Sequence, residues 1–346
     1  MPGCLDENQV VDFLQGTNVP TEGESFERHI EGCDACRELL ATMATVLDTP
    51  LREGATRARM PSQFPAVEGR YEMLDVIGKG GVGVVWEAQD LAMDRRVAVK
   101  VVRCDNPTLR RRTLREARVG SVLSHPAVLA VEECFETLDG DLALVMELLA
   151  GEDLAAHLAR VGRISAEGAS TILAPVASAL TAAHAVGLVH RDIKPHNVYL
   201  ASNGVRLLDF GMTKLMSELG LASTAGTLTA SNMVLGTPHY MAPEQLFGEA
   251  SVGPAADVWA LGVVLYECVS AARPVDGKSF GQIFRAVADG NIHPLRDVAP
   301  EVPEPFAALV MRMLQLEPAA RPAAAEVHAA LAAWANPSAD TTTTLG

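Results

Sequence analysis

Residues 190–197, reading His-Arg-Asp-Ile-Lys-Pro-His-Asn, constrain this chain more than any other stretch. They set an acid, a lysine and an amide close together, and Asp209-Phe210-Gly211 follows shortly after. Phosphoryl transfer needs such a set: one Asp to accept the proton of an incoming hydroxyl, and an Asn plus a second Asp to hold Mg2+ against a triphosphate. Asp192, Asn197 and Asp209 fit those roles. Lys194 would stand beside the transferring group, where a positive charge offsets negative charge growing on its oxygens.

Upstream, Ile77-Gly78-Lys79-Gly80-Gly81-Val82-Gly83-Val84-Val85 carries glycines at G-x-G-x-x-G spacing, which permits a tight turn and close approach of backbone to phosphate. A dinucleotide-binding loop would lead from a strand into a helix. Here residues 84–88 read as a continuing strand and residues 96–100 as the next, so the spacing predicts a glycine-rich hairpin lid over a nucleotide. Lys100 closes the run Val-Ala-Val-Lys, and strand alternation places Lys100 and Ala98 on one face, in one pocket. Residues 110–123 are helix-like, ending before Ser124-His125-Pro126. Glu116 on that helix is the expected partner of Lys100; the alternative is a surface pair with Arg112, worth about 0.2–0.5 kcal/mol.

From residue 71 to about 334 the chain resembles the bacterial serine/threonine protein kinases of the eukaryotic-like type. The resemblance implies an α+β, two-lobed kinase fold with a β-rich N-lobe and an α-rich C-lobe. It implies ATP and Mg2+ as cofactors, Asp192 as base, and Ser or Thr hydroxyls of protein substrates as acceptors. Residues 144–149 would form the strand and hinge that hold adenine, with Met146 as gatekeeper and the backbones of Glu147 and Leu149 as the hydrogen-bonding edge. Asp153 would reach the ribose, and Tyr199 would floor the adenine pocket, where an aliphatic residue is commoner. Residues 236–244, Gly-Thr-Pro-His-Tyr-Met-Ala-Pro-Glu, resemble the substrate-docking segment and its closing motif. Glu244 would pair with Arg321, and Asp257 would open a central buried helix and anchor the catalytic loop. Lys194 and Thr237 are the serine/threonine choices. A small-molecule phosphotransferase could share Asp192, Asn197 and Asp209 but would lack this downstream set. The alternative of a different class is a nucleotide-binding scaffold without catalysis, against which the intact Lys100, Asp192, Asn197 and Asp209 speak.

Regulation is partly legible. Arg191, directly before Asp192, reads as a buried cation awaiting an anion, which a phosphorylated residue between Asp209 and Glu244 would supply, with Lys214 joining it. Ser223, Thr224, Thr227, Thr229 and Ser231 lie there among Ala and Gly. Autophosphorylation is expected at Thr227 or Thr229 first, in trans through a transient homodimer.

A chain of 346 residues accommodates one such core and a small extra module. His29, Cys33 and Cys36 fall on one narrow face of a helix, and Cys4 can return from a preceding helix as a fourth ligand. Three thiolates and an imidazole make a tetrahedral, structural Zn2+ site, which would hold together a module too small for a core of its own. The H-x3-C-x2-C pattern with an upstream Cys resembles the zinc-binding domain of anti-sigma factors, also found ahead of some bacterial kinases. A redox pair or plain buried thiols is the alternative for Cys33 and Cys36. The expected layout is a helical zinc-binding module at 1–48, a flexible linker at 49–69 with Pro50, Pro61 and Pro65, a kinase domain at 70–335 (N-lobe 70–149, C-lobe 150–335), and a disordered tail at 336–346. A regulatory protein is the expected partner of the first module.

Charge argues against nucleic acid. The formal net charge is −15, and residues 1–49 carry ten acids against Arg28 and Arg37, the wrong sign for phosphate contacts. The basic cluster Arg110, Arg111, Arg112, Arg115 and Arg118 is expected to face solvent or meet a phosphate. The acidic N-terminus lacks a secretory pattern. The most apolar stretch, residues 258–272, contains Glu267 and matches the central helix, so no membrane span is expected. Cys104, Cys134 and Cys268 read as reduced core thiols, and a cytoplasmic protein is expected.

Overall fold

Runs of β-branched residues build the first half of the domain. In the computed structural model β1 (Tyr71–Gly80), β2 (Gly83–Asp90), β3 (Arg95–Val102), β4 (Val131–Glu136) and β5 (Leu142–Glu147) pair antiparallel in the order β1-β2-β3-β5-β4. The structure describes residues 70–80, 83–102, 123–137, 140–209, 238–248, 252–277 and 279–335. On β3, Val97, Val99 and Val101 turn one way and bury with Tyr71, Ala88, Ala143 and Val145. Ala98 and Lys100 stand opposite Met146 and Leu144, so these four share the other face. The expected hairpin and the shared face of Ala98 and Lys100 are both present.

Charged groups pin the start of this sheet. Arg70 donates from Nε and Nη2 to the two oxygens of Asp90 at 3.1 and 3.0 Å, and from Nη1 to Glu133 Oε2 at 2.8 Å. Tyr71 Oη donates to the same Glu133 oxygen at 2.8 Å while its ring stacks on Phe135. The Asp90 side chain is fully buried, and the hydrogen bonds from Arg70 hold its carboxyl below the usual range against the opposing push of burial.

The second half is helical around a three-stranded antiparallel sheet of β6 (Gly151–Asp153), β7 (Val198–Ala201) and β8 (Gly204–Leu207). Its helices are α1 (Leu154–Val161), α2 (Ala166–Ala185), α3 (Pro243–Leu246), α4 (Pro254–Ser270), α5 (Phe280–Ala288), α6 (Leu295–Val298), α7 (Glu304–Met313) and α8 (Ala324–Ala335). Pro254 suits the first turn of α4, where its missing N–H costs nothing. The helix is apolar all round, so it has no solvent face to offer and becomes the centre of the core. Glycine is required at 262 for the approach of α7, since a Cβ there would lie 2.9 Å from Met313 Cβ. Cys134 and Cys268 are buried free thiols; burial pushes the Cys268 thiol up, away from reactivity. Cys104 lies outside the described residues. Among the described residues no helix is long and apolar enough to cross a membrane.

Candidate active site

The first turn of α4 builds the catalytic loop. Asp257 is fully buried, and its Oδ2 and Oδ1 accept the backbone N–H groups of His190 and Arg191 at 2.8 and 2.7 Å. His184, near the end of α2, reaches Asp257 Oδ2 through Nε2 at 2.8 Å. These bonds hold the left-handed turn at Arg191, whose φ is 66°. The buried His190 ring then spans the loop: its Nδ1 takes the Asp192 N–H at 3.3 Å and its Nε2 meets the Leu208 carbonyl at 3.0 Å. Three side chains converge beyond this turn. Lys194 Nζ donates to both oxygens of Asp192, at 3.0 and 2.7 Å, while Asn197 Nδ2 donates to the Asp192 carbonyl at 2.7 Å and to Oδ2 at 3.1 Å. The Asp192 carboxylate is therefore oriented by two donors of different kind.

Asp209, also left-handed with φ 56°, places Oδ1 2.5 Å from Lys100 Nζ, a contact between residues 109 apart in sequence. Asn197 spends its amide N–H groups on Asp192, which leaves its amide oxygen, and Asp209 keeps a second carboxylate oxygen beyond the Lys100 bond. Such hard oxygens suit Mg2+. Glu116 lies outside the described residues, as do Gly81 and Val82. In the glycine-rich hairpin, Ile77, Gly78, Lys79 and Gly80 end β1, and Gly83, Val84 and Val85 open β2. Gly83 is dictated by the protein itself, because a Cβ there would meet the Val101 carbonyl at 2.1 Å. At Gly78 a Cβ would touch Val85 only at ordinary contact distance, so the sheet itself does not demand glycine there.

Ala98 and Met146 are buried where the adenine pocket was expected, and Glu147 ends β5 just before Leu149. The Asp153 carboxylate caps α1, with Oδ1 accepting the Ala156 N–H at 2.8 Å. Tyr199 Oη donates to the Gly151 carbonyl at 2.8 Å. Burial, then the nearby Asp153 carboxylate, push the phenol upward, so it stays a donor at neutral pH.

A family model for the protein kinase domain matches residues 71–331. The chain belongs to the protein kinase family. It is 42% identical to serine/threonine-protein kinase PknA of Mycobacterium tuberculosis over 219 residues, 61% of this chain and 49% of that protein. It is 35% identical to serine/threonine-protein kinase PknE of the same species over 289 residues, 81% of this chain and 49% of that one. The chain thus spans about half the length of either relative. The two-lobed kinase fold, with a sheet in the N-lobe and helices in the C-lobe, follows from the match and the element order together.

Glu244, at the start of α3, is locked to the core of the C-lobe. Arg321 donates to both oxygens of Glu244 at 2.7 and 2.9 Å and to the carbonyls of Ala255, Gln315 and Leu316, so all five of its N–H donors are used in a buried place. It also lies over the Trp259 ring at 5.1 Å. Tyr240 Oη donates to Glu267 Oε2 at 2.5 Å, which explains the one acid in the apolar α4 stretch.

One expectation is corrected. Arg191 is exposed, not buried, and its Nη2 donates to the Val252 carbonyl at 3.2 Å. The left-handed turn sends its backbone into Asp257 and its side chain outward, so desolvation creates no demand for an anion. Thr237, Lys214 and the candidate phosphorylation sites lie outside the described residues, as do Cys4, His29, Cys33 and Cys36. Three residues that serve the site had not been singled out. Gln245 donates to the Arg191 carbonyl at 2.9 Å while accepting the Ala242 N–H, His184 supports Asp257, and Arg206 meets Glu147. Gln245 had a visible signal, an amide three positions into a Pro-initiated helix, where it can cap the preceding turn. His184 was the lone polar ring ending an Ala-rich helix, and Arg206 had no local signal at all.

Proposed function

We propose that the chain is a serine/threonine protein kinase that transfers the γ-phosphate of ATP to Ser or Thr hydroxyls of proteins in bacterial signalling. The observation that carries this reading is the convergence of Lys194 and Asn197 on the Asp192 carboxylate, on a loop pinned by Asp257. Asp192 accepts the hydroxyl proton as the hydroxyl oxygen bonds to the γ-phosphorus; the bond to the β–γ bridging oxygen breaks and ADP leaves. Lys194 offsets charge on the transferring oxygens, and Lys100, which bonds Asp209, would meet the α- and β-phosphates. Asn197 and Asp209 would hold Mg2+, which when bound neutralises the triphosphate.

The test is intact mass before and after incubation with MgATP, and phosphate transfer to a generic protein substrate, with Asp192→Asn beside the wild type. Loss of a general base is expected to cost about 10²–10⁴-fold in rate. A wild type that binds MgATP but transfers nothing, even after co-expression with its own host's proteins, would favour the scaffold reading.

The N-terminal assignments belong to the same proposal. Residues 1–48 form a structural Zn2+ module with Cys4, His29, Cys33 and Cys36 as ligands, followed by a linker at 49–69, and serve to bind a regulatory protein; the support is the ligand spacing on one helix face. Autophosphorylation, in trans by a second copy, falls on Thr227 or Thr229, supported by the cluster of hydroxyls Ser223, Thr224, Thr227, Thr229 and Ser231 among Ala and Gly, and the protein works in the cytoplasm. Native mass spectrometry of protein purified without added metal should show one zinc ion, lost on denaturation and absent from Cys33→Ser. A metal-free wild type would sink the zinc assignment.

A further inference from the structure

Tyr199 and Arg206 face each other directly across β7 and β8, so their side chains leave that sheet on the same side. Each reaches one end of the segment that joins the lobes. Arg206 Nε donates to Glu147 Oε1 at 2.9 Å, at the end of β5, from 59 residues away. Tyr199 Oη takes the Gly151 carbonyl at 2.8 Å, at the start of β6. Gly151 is itself held close: with φ 154°, a Cβ there would lie 2.0 Å from the Leu200 carbonyl, so this backbone can sit against β7 only as glycine. Between the two anchors lie Leu148, Leu149 and Ala150, the stretch read as the adenine edge.

We propose that Arg206, with the Tyr199 hydroxyl, is a positioning clasp that fixes residues 147–151 from below and thereby sets the affinity for the nucleotide base. The energetics separate this from a stability role. The Arg206 side chain is only 14% exposed, but that of Glu147 is 37% exposed, so water screens the pair and its contribution to folding is small. Its consequence is placement: without the clasp the hinge backbone must be ordered by the nucleotide itself, and that cost appears in binding. The chemical step, organised by Asp192 and Lys194 on the loop pinned to α4, does not pass through Arg206.

The inference rests on the kinase reading, and the experiment separates the two. KM for ATP, kcat, and the Kd of a fluorescent ADP analogue are measured for the wild type, Arg206→Ala, Arg206→Lys, Tyr199→Phe and the exchange Glu147→Arg/Arg206→Glu. Loss of a partly screened bond predicts that Arg206→Ala raises KM and Kd about two- to fivefold with kcat within about twofold. Arg206→Lys and the exchange should recover much of this, and Tyr199→Phe, which keeps the ring, should show a smaller rise. Unchanged KM and Kd in Arg206→Ala would overturn the clasp, as would a fall in kcat and melting temperature together without a rescue by the exchange. A wild type with neither turnover nor ADP binding would overturn the kinase reading and the clasp with it.

Discussion

The two lobes solve the problem of placing charge in opposite ways. In the C-lobe five helices bury apolar residues around α4, and the polar groups that matter, Asp257 and the Glu244–Arg321 pair, are sunk into that core with every bond satisfied. In the N-lobe the described core is one face of a sheet, Tyr71, Ala88, Val97, Val99, Val101, Ala143 and Val145, and of its charged anchors Asp90 is buried while its partner Arg70 and Glu133 sit partly in water at the edge. The lesson is a division of labour. Asp192 and Asn197 hang from a loop pinned to the buried α4, whereas Lys100 and the glycine-rich hairpin stand on the N-lobe sheet. Rigidity is spent where the geometry of the reacting atoms is most demanding.

This contrast can be broken by mutation. Arg321→Met should be the most severe change, because it strands the Glu244 carboxylate in a dry site; a loss of about 3–5 kcal/mol is expected in denaturant unfolding. Gly262→Ala should follow, at about 1–3 kcal/mol, since the new methyl must push α7 away at Met313. In the N-lobe, Tyr71→Phe removes only the bond to Glu133 and keeps the stacking on Phe135, so about 1 kcal/mol is expected. If Tyr71→Phe cost as much as Arg321→Met, the division between lobes would fail.

The smallest effect sharpens the comparison through pH. The native carboxyl of Asp90 lies below its ordinary 3.8, so the Arg70 contact stabilises the fold above that value, and the benefit is lost as pH falls through the depressed native value. The melting-temperature gap between wild type and Asp90→Asn should therefore be full at neutral pH and close below about pH 3.8. A gap that persisted in acid would mean that Asp90 acts by shape, not charge.

Much of the site was legible because its chemistry is compressed. Asp192, Lys194 and Asn197 lie within one loop, and their convergence is a local geometric matter once the loop forms. The alternation that put Ala98 and Lys100 on one face, and the glycine required at 83, likewise depend on neighbours in the same hairpin. Arg191 was misread for the opposite reason. Whether a charged side chain is buried depends on the direction in which the backbone turns, and a φ of 66° is not written in the residue itself. At Asp153 the onset of α1 adds a capping bond from Oδ1 that the residue type alone does not announce.

By itself, then, the sequence determined the family, the glycine-rich hairpin and the compact set Asp192, Lys194 and Asn197, because these follow from short-range period and from motifs whose members are neighbours. Only the tertiary structure decided which charge meets which. Lys100 finds Asp209 across 109 residues and Arg206 finds Glu147 across 59, pairs that no local pattern announces, whereas the Arg321–Glu244 pair was expected from the family's motif and is present. That choice is made by the core: once the apolar faces of α4 and β3 are buried, each charged group has one partner within reach, and desolvation makes any other arrangement costly.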